Sequence, residues 1–214
     1  MKQAEKSKAT YDKILHAAIL EFGSKSYEGA SLNNVCNEYN ISKGLIYHNF
    51  KNKDDLYLQC TNACFQKLSD YLSRIDTNIK DVNTYLKNYL NLRVQFFHEN
   101  PAYGQFFFHA ILQPPKHLIN QIKDIRKDFD AFNVIQFSNI LQHVTLRQGI
   151  TQEDSLMYFT YFQDMFHNDW GNKIYEGVDF DTLMKEHETK LGKMIDMLLY
   201  GIVKENTTHE STHH

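Results

Sequence analysis

Apolar residues recur along this chain at helical spacing almost everywhere. Ile14, Ala17, Ala18 and Phe22 follow i, i+3, i+4, i+8 and mark one face of a first helix, which Gly23 and the stretch 24–30 should end. Ser31 stands where an N-cap is needed for a second short helix from Leu32 to about Tyr39. Asn40 suits a left-handed turn residue, since Asn tolerates positive φ. Ser42 caps a third helix reaching about Phe50. Asn52 caps a fourth, with Asp55 placed to complement the helix N-terminus. The fourth runs on through Leu56, Cys60, Ala63, Cys64, Leu68 and Leu72. Further helices are predicted at about 80–98, 101–112, 116–147, 153–172 and 180–203. Asn100-Pro101 reads as an N-cap with proline at N1, Pro114-Pro115 breaks the chain, and Gly149 sits where a C′ residue is expected. The sequence shows neither an internal repeat nor a convincing strand pair, so the fold class is all-α.

Composition narrows this picture little. The 214 residues are 42% hydrophobic and 23% charged, an ordinary globular balance, and the aromatic share of 14% suggests thick cores or apolar pockets. The apolar run Phe106-Phe107-Phe108 is far short of a membrane span, and no signal-like apolar region opens the chain. Three cysteines form no disulfide framework, so the expectation is a cytoplasmic protein with no membrane partner.

Charge is more informative in its distribution than in its sum. The net charge of −3 disfavours a general nucleic-acid binder. Residues 1–60 nevertheless carry eight Lys and no Arg against seven Asp or Glu. No acid lies between Glu38 and Asp54, while Lys43, Lys51 and Lys53 fall inside that gap. Such a window suits a small nucleic-acid contact surface, although the count alone is better read as chance.

The arrangement of side chains favours DNA. Residues 31–50 give helix, three-residue turn, helix, which presents a second helix to a major groove. At ~100° per residue, Lys43, Gly44, Tyr47 and His48 share one side of that helix, and Leu45, Ile46, Asn49 and Phe50 the other. The apolar side can pack on Val35 and Ile14. Lys43 can approach a phosphate or a guanine edge, and Gly44 removes a side chain where backbone and DNA come close. Tyr47 and His48 can donate hydrogen bonds to phosphate, and Lys53 can hold another phosphate at the start of the fourth helix. An ordinary exposed polar face is the competing reading for each residue taken singly.

Residues 14–56 resemble the N-terminal domain of the TetR family of bacterial transcriptional regulators. The resemblance rests on Phe22, Tyr27, Ser31-Leu32, Val35-Cys36, the run Ile41-Ser42-Lys43-Gly44-Leu45-Ile46-Tyr47-His48-Asn49-Phe50, and Lys51-Asn52-Lys53-Asp54-Asp55-Leu56. It implies an all-helical homodimer whose third helix reads DNA and whose C-terminal domain binds a small effector. It places Ser31, Ser42, Lys43, Gly44, Tyr47, His48 and Lys53 as the candidate DNA-contacting set. The chain departs from the usual pattern at Ser26 and Asn40, where glycine is usual, at Cys36, where alanine is usual, and at Asn49. The absence of Arg before Arg74 also removes the bidentate fork for guanine. The implied organisation is a DNA-binding domain at 1–56, a fourth helix bridging at about 53–74, a ligand-binding and dimerisation domain at 57–204, and a disordered tail at 205–214.

In the larger domain Met184, His187, Leu191, Met194, Leu198 and Ile202 repeat at helical spacing, and Ile195 widens the stripe. Together with Phe159 they form the candidate dimer interface, a four-helix bundle made with a second copy, with burial inside one subunit as the alternative. Tyr89, Arg93, Phe97, Tyr103, Phe107, His109, Phe132, Phe162, Phe166 and Trp170 are the candidate effector pocket, aromatic walls with a few polar groups. Arg93 would there meet an anionic ligand, or else pair with a carboxylate on a neighbouring helix.

Other motifs carry less. His209-Glu210-Ser211-Thr212-His213 fits the H-E-x-x-H zinc pattern, but it ends the chain without a third ligand or a cleft, so adventitious nickel or zinc binding outranks catalysis. Cys60 and Cys64 read as buried structural thiols. No cofactor, structural metal or catalytic group is expected. The leading reading is a repressor released from a two-fold symmetric operator by a small molecule. The alternative is a helical small-molecule binding protein without DNA binding.

Overall fold

The computed structural model describes residues 3–78, 81–171 and 179–202, and among these the chain is helical with no strand. The helices are α1 (Gln3–Gly29), α2 (Leu32–Tyr39), α3 (Lys43–Asn49), α4 (Lys53–Leu72), α5 (Val82–Glu99), α6 (Pro101–Leu112), α7 (Ile119–Leu141), α8 (Gln152–Gly171) and α9 (Phe180–Ile202). A single 3-10 turn at Lys116–Leu118 leads into α7. No helix of the described residues is long and apolar enough to cross a membrane.

The predicted caps of the first domain form as hydrogen bonds. Ser31 Oγ accepts from the Asn33 amide and Ser42 Oγ from the Leu45 amide. Asn52 Oδ1 accepts from the Asp55 amide, while Asp55 Oδ2 accepts from the Lys51 amide, so orphan donors on both sides of the cap are satisfied. Asn40 adopts φ 49°, ψ 53°, and its N–H closes α2 onto the Cys36 carbonyl. Farther along, Asn100 and Pro101 take the N-cap and first positions of α6 as expected, though Asn100 makes no side-chain cap bond and its Nδ2 donates back to the Phe96 carbonyl. The helix expected over 116–147 ends at Leu141, and Gly149 takes φ 84° in the turn between α7 and α8 rather than beside a helix end.

Helix α1 is longer than its apolar pattern implied, because it continues through Ser24 and Lys25. It bends at Ser26, where φ is 59° and ψ 179°, a region that essentially only glycine occupies without strain. A serine thus stands at a bend that asks for glycine. Ser26→Gly should raise unfolding stability by about 1 kcal/mol, read by urea titration; an unchanged midpoint would count against strain there.

The first three helices pack round Ile14, Ala18, Phe22, Val35, Ile46 and Phe50, all buried. Glu21 is buried among them and binds the Ser31 amide, Asn34 Nδ2 and Lys25 Nζ. Burial pushes its carboxyl up, but these donors outweigh that and hold it below the ordinary carboxylate range. Glu21 therefore ties α1 to the start of α2 and so sets where α3 projects.

The head meets the body along α1, α4 and α6. Gly23 lets α1 lie close against α6, since a Cβ there would come within 3.1 Å of the Ala102 carbonyl oxygen and 3.2 Å of the Phe106 nitrogen. Phe22, Tyr57 and Phe106 pack edge to edge across this junction. Cys60 and Cys64 lie buried beside it, their thiols pointed at the Leu15 and Tyr103 carbonyls. Burial pushes both thiols well above the ordinary range, which leaves them poor nucleophiles.

Candidate nucleic-acid interface and interior cavity

Helix α3 presents its polar side to solvent. Lys43, Gly44, Tyr47 and His48 are exposed, while Ile46 and Phe50 are buried. A Cβ built on Gly44 would meet nothing within 4 Å, so this part of the helix surface is open. Asn49 is half-buried, and its Nδ2 donates to the Leu45 carbonyl. Leu45 departs from the expected inner position and is 43% exposed. With only seven residues, α3 covers its inner side with Ile46, and Leu45 falls on the rim. There it lines a shallow groove with Lys6, Thr10, Lys13, Asn40 and Ile41. The amphipathic wheel could not find this, because it assigns a side to each residue and not the breadth of the neighbour that covers it.

The hydroxyls of Ser31 and Ser42 are engaged as caps, and Ser42 remains exposed. Lys53 is half-buried, its ammonium 4.3 Å from the centroid of the Tyr27 ring. Tyr27 Oη donates to Asp54, which also contacts His117 Nε2 at 3.2 Å. The Tyr27 hydroxyl and then the His117 ring hold the Asp54 carboxyl below its ordinary range. The start of α4, next in the chain after α3, is thus tied to the turn that leads into α7.

Within the body, a cavity opens between α5, α7, α8 and α9, with a free volume of about 60 Å³. Of the predicted pocket residues, Tyr89, Arg93, Phe162 and Phe166 line it. The others do not. Phe97 and Phe107 pack on each other in the core, with ring centroids 5.3 Å apart. Tyr103 lies under the Lys67 ammonium, and His109 is half-buried on α6 facing Gly23. Phe132 packs partly buried against the core, and Trp170 is stacked behind the wall against Phe166 and His187. Helix α6 sets Phe106 against α1 and α4, Phe107 against α4, α5 and α7, and Phe108 against α5 and α9, so its aromatics fill the core between helices rather than the cavity.

The lining also includes Tyr85, Asn133, Gln136, Phe159, Gln163, His167, His187, Leu191 and Ile195, none of them in the predicted pocket set. Arg93, 4% exposed, is fully engaged by a carboxylate: its Nε donates to Glu188 Oε2 at 2.7 Å and its Nη2 to Oε1 at 2.8 Å. Glu188 went unnoticed because it interrupts an otherwise apolar face of α9. A charged residue on such a face opposite a buried arginine was the available signal.

The predicted dimer stripe is corrected by its burial. Phe159, Met184, His187, Ile195 and Leu198 are buried within the subunit, and Leu191 and Met194 half-buried. Phe159 stacks on Phe137 at 4.3 Å. The side chain of Ile202 and the histidine-rich tail lie outside the described residues. The apolar stripe on α9 thus packs onto its own body. Among the described residues of the body, the large apolar side chains left exposed are Ile135 on α7, Met157, Tyr158, Tyr161 and Met165 on α8, and Met197 and Tyr200 on α9.

Comparison with known proteins covers nearly the whole chain. The family profile "Bacterial regulatory proteins, tetR family" matches residues 14–60, and "Tetracyclin repressor-like, C-terminal domain" matches residues 80–203. The biofilm operon icaADBC HTH-type negative transcriptional regulator IcaR of Staphylococcus epidermidis is 35% identical over 63 residues, 29% of this chain and 34% of that regulator. The likeness to these curated relatives therefore spans about a third of their length. Among solved structures, a TetR-family transcriptional regulator from Mesorhizobium loti superposes with a TM-score of 0.64 at 14% identity, over 95% of this chain and 100% of that one. Another, from Shewanella sp. PV-4, gives 0.62 at 15% identity, over 92% and 99%. At such identities these two establish the fold alone.

Proposed function

Since this chain belongs to the TetR family of bacterial regulatory proteins, we propose that it is a cytoplasmic transcriptional repressor that binds a two-fold symmetric operator as a homodimer and leaves it when a small molecule enters the body. The observation that carries this reading is the exposed face of α3, where Lys43, Gly44, Tyr47 and His48 are not covered by any other described residue. In this assignment residues 1–56 read DNA and residues 57–204 bind ligand and partner. Lys43 approaches phosphate or a guanine edge, and Tyr47 and His48 hold phosphates. Leu45 joins the set, because an exposed apolar side chain on a reading helix suits a thymine methyl. Lys6 and Lys13 flank the same groove from α1. Lys53, already seated on Tyr27, reaches a phosphate only by leaving or leaning out from that ring. The alternative of a ligand carrier without DNA binding leaves this exposed cationic face without a use.

Helix α4 supplies the mechanical link. Its N-terminus, next in the chain after α3, holds the Tyr27–Asp54–His117 cluster, and farther on its Phe65 packs on Phe107 and Phe129, the latter lining the cavity. A ligand that displaces α7 or α8 therefore shifts the α4 lever and changes the separation of two reading helices. These must lie about 34–36 Å apart to enter successive grooves.

A mobility-shift titration with the DNA upstream of the gene tests the proposal. Lys43→Ala should lower affinity about tenfold and reduce the magnitude of the salt slope by about 2, one unit for each copy in the dimer. Tyr47→Ala should weaken binding without changing that slope, since tyrosine releases no counterion. Wild-type affinity and slope in both variants would exclude α3 as the reading element.

A further inference from the structure

The cavity carries information about what it accepts, and this inference rests on the effector reading above. Arg93 is the one permanently charged side chain among its described lining residues, and both oxygens of Glu188 are committed to it. His187 Nδ1 joins the same carboxylate at 3.0 Å. Glu188 thus already balances the charge of the guanidinium, which leaves little net attraction for an anionic ligand, and a cation would find no free carboxylate among the described lining residues. The aromatic hydroxyls are matched as well: Tyr85 Oη donates to Gln136 Oε1 at 2.7 Å and Tyr89 Oη to Asn133 Oδ1 at 2.6 Å.

The unmet hydrogen bonds lie on the α8–α9 side. Gln163 is 6% exposed, and neither its Oε1 nor its Nε2 has a partner among the described residues. His167 Nδ1 and His187 Nε2 are buried without partners too. Burial drives both imidazoles below their ordinary range, so they are neutral. With His187 donating from Nδ1 to Glu188, its Nε2 is left as an acceptor. Together these groups offer at least one donor and two acceptors on the α8–α9 side of a space whose wall also includes Phe129, Phe137, Phe162 and Phe166.

We propose that this cavity takes an uncharged, mostly apolar small molecule bearing one group that both donates and accepts hydrogen bonds, an amide or a hydroxyl, seated against Gln163 and His187. The free volume of about 60 Å³ accommodates the polar group and its first carbons. The remainder of the molecule must part the aromatic wall, which makes occupation and wall movement one event.

The test uses the full chain and three compounds of equal length, octanamide, octanoate and octylammonium, at pH 7.5. Trp170 is the single tryptophan, its ring 4.9 Å from His187, so its emission reports on this side of the cavity. Octanamide should give a saturable change with half-saturation at least tenfold below either charged compound, and Gln163→Leu should remove that preference while the circular dichroism stays native. Octanoate or octylammonium binding as well as octanamide overturns the proposal, as does the absence of a saturable response to all three, which would make water the occupant. Operator affinity is measured in parallel. If bound octanamide leaves it unchanged, the regulatory reading fails and the chemistry of the cavity stands.

Discussion

Arg93→Met should destabilise the protein by about 3–5 kcal/mol, as much as truncating a large core side chain. The reason is the carboxylate left behind. Glu188 is buried, and without the guanidinium it must either keep an unpaired charge in an apolar interior or take up a proton. In the intact protein burial pushes the Glu188 carboxyl up, but Arg93 and His187 more than reverse this and hold it at about 2. Arg93→Met/Glu188→Leu should recover most of the loss, because a matched apolar pair avoids desolvating either ion. Urea unfolding of the two variants decides the matter; a double variant as unstable as the single would mean that shape rather than charge is at stake. A pH series adds an independent check. His167 and His187 resist protonation in the folded chain, while the unfolded chain takes up those protons near pH 6.5. Stability should therefore decline as pH falls below about 6.5. The Glu188 contribution, fully present above the unfolded carboxylate value of about 4.3, should be lost as pH falls on toward about 2.

What could be read from residue order divides along the distance over which each feature is determined. Ser31, Asn40, Ser42 and Asn52 act through atoms two to four residues away, and their roles were legible. So was the exposed side of α3, which follows from helical periodicity alone. The cavity was not, because Tyr85, Gln136, Gln163 and His187 meet only after three inter-helix packings are settled. Periodicity marked Met184, His187 and Leu198 as an apolar face, but it could not say whether that face meets the same chain or another. Phe97 and Phe107 were misplaced for a related reason: aromatic density indicates burial, and burial is shared by a packed core and a pocket wall. Both positions where the family usually has glycine, Ser26 and Asn40, did coincide with positive φ, and of the two only Ser26 lies in the region that essentially only glycine occupies.

Tyr161→Asp/Met197→Asp should convert a dimer into monomers at micromolar concentration while leaving the fold intact. Both side chains are mostly exposed, 62% for Tyr161 and 72% for Met197, so the subunit itself loses little on their replacement. Met157, Tyr161 and Met165 follow one another at i, i+4, i+8 along α8, which makes a continuous apolar ridge. Such a ridge is expensive to leave in water and, in a two-fold association, packs against its own copy. One carboxylate on that ridge and one on the neighbouring exposed side of α9 would face their copies across the axis. Sedimentation velocity reads the first consequence. The second is larger. A symmetric operator is bound by two heads tethered to one another, so losing the tether should weaken binding ~100-fold or more, the usual scale of an avidity gain. The salt dependence should fall to about half, since each monomer neutralises half the phosphates. A variant that stays dimeric would move the partner surface elsewhere on the body. One that becomes monomeric yet binds the full operator undiminished would show that each head acts alone, and the α4 lever would then have no second head against which to set a spacing.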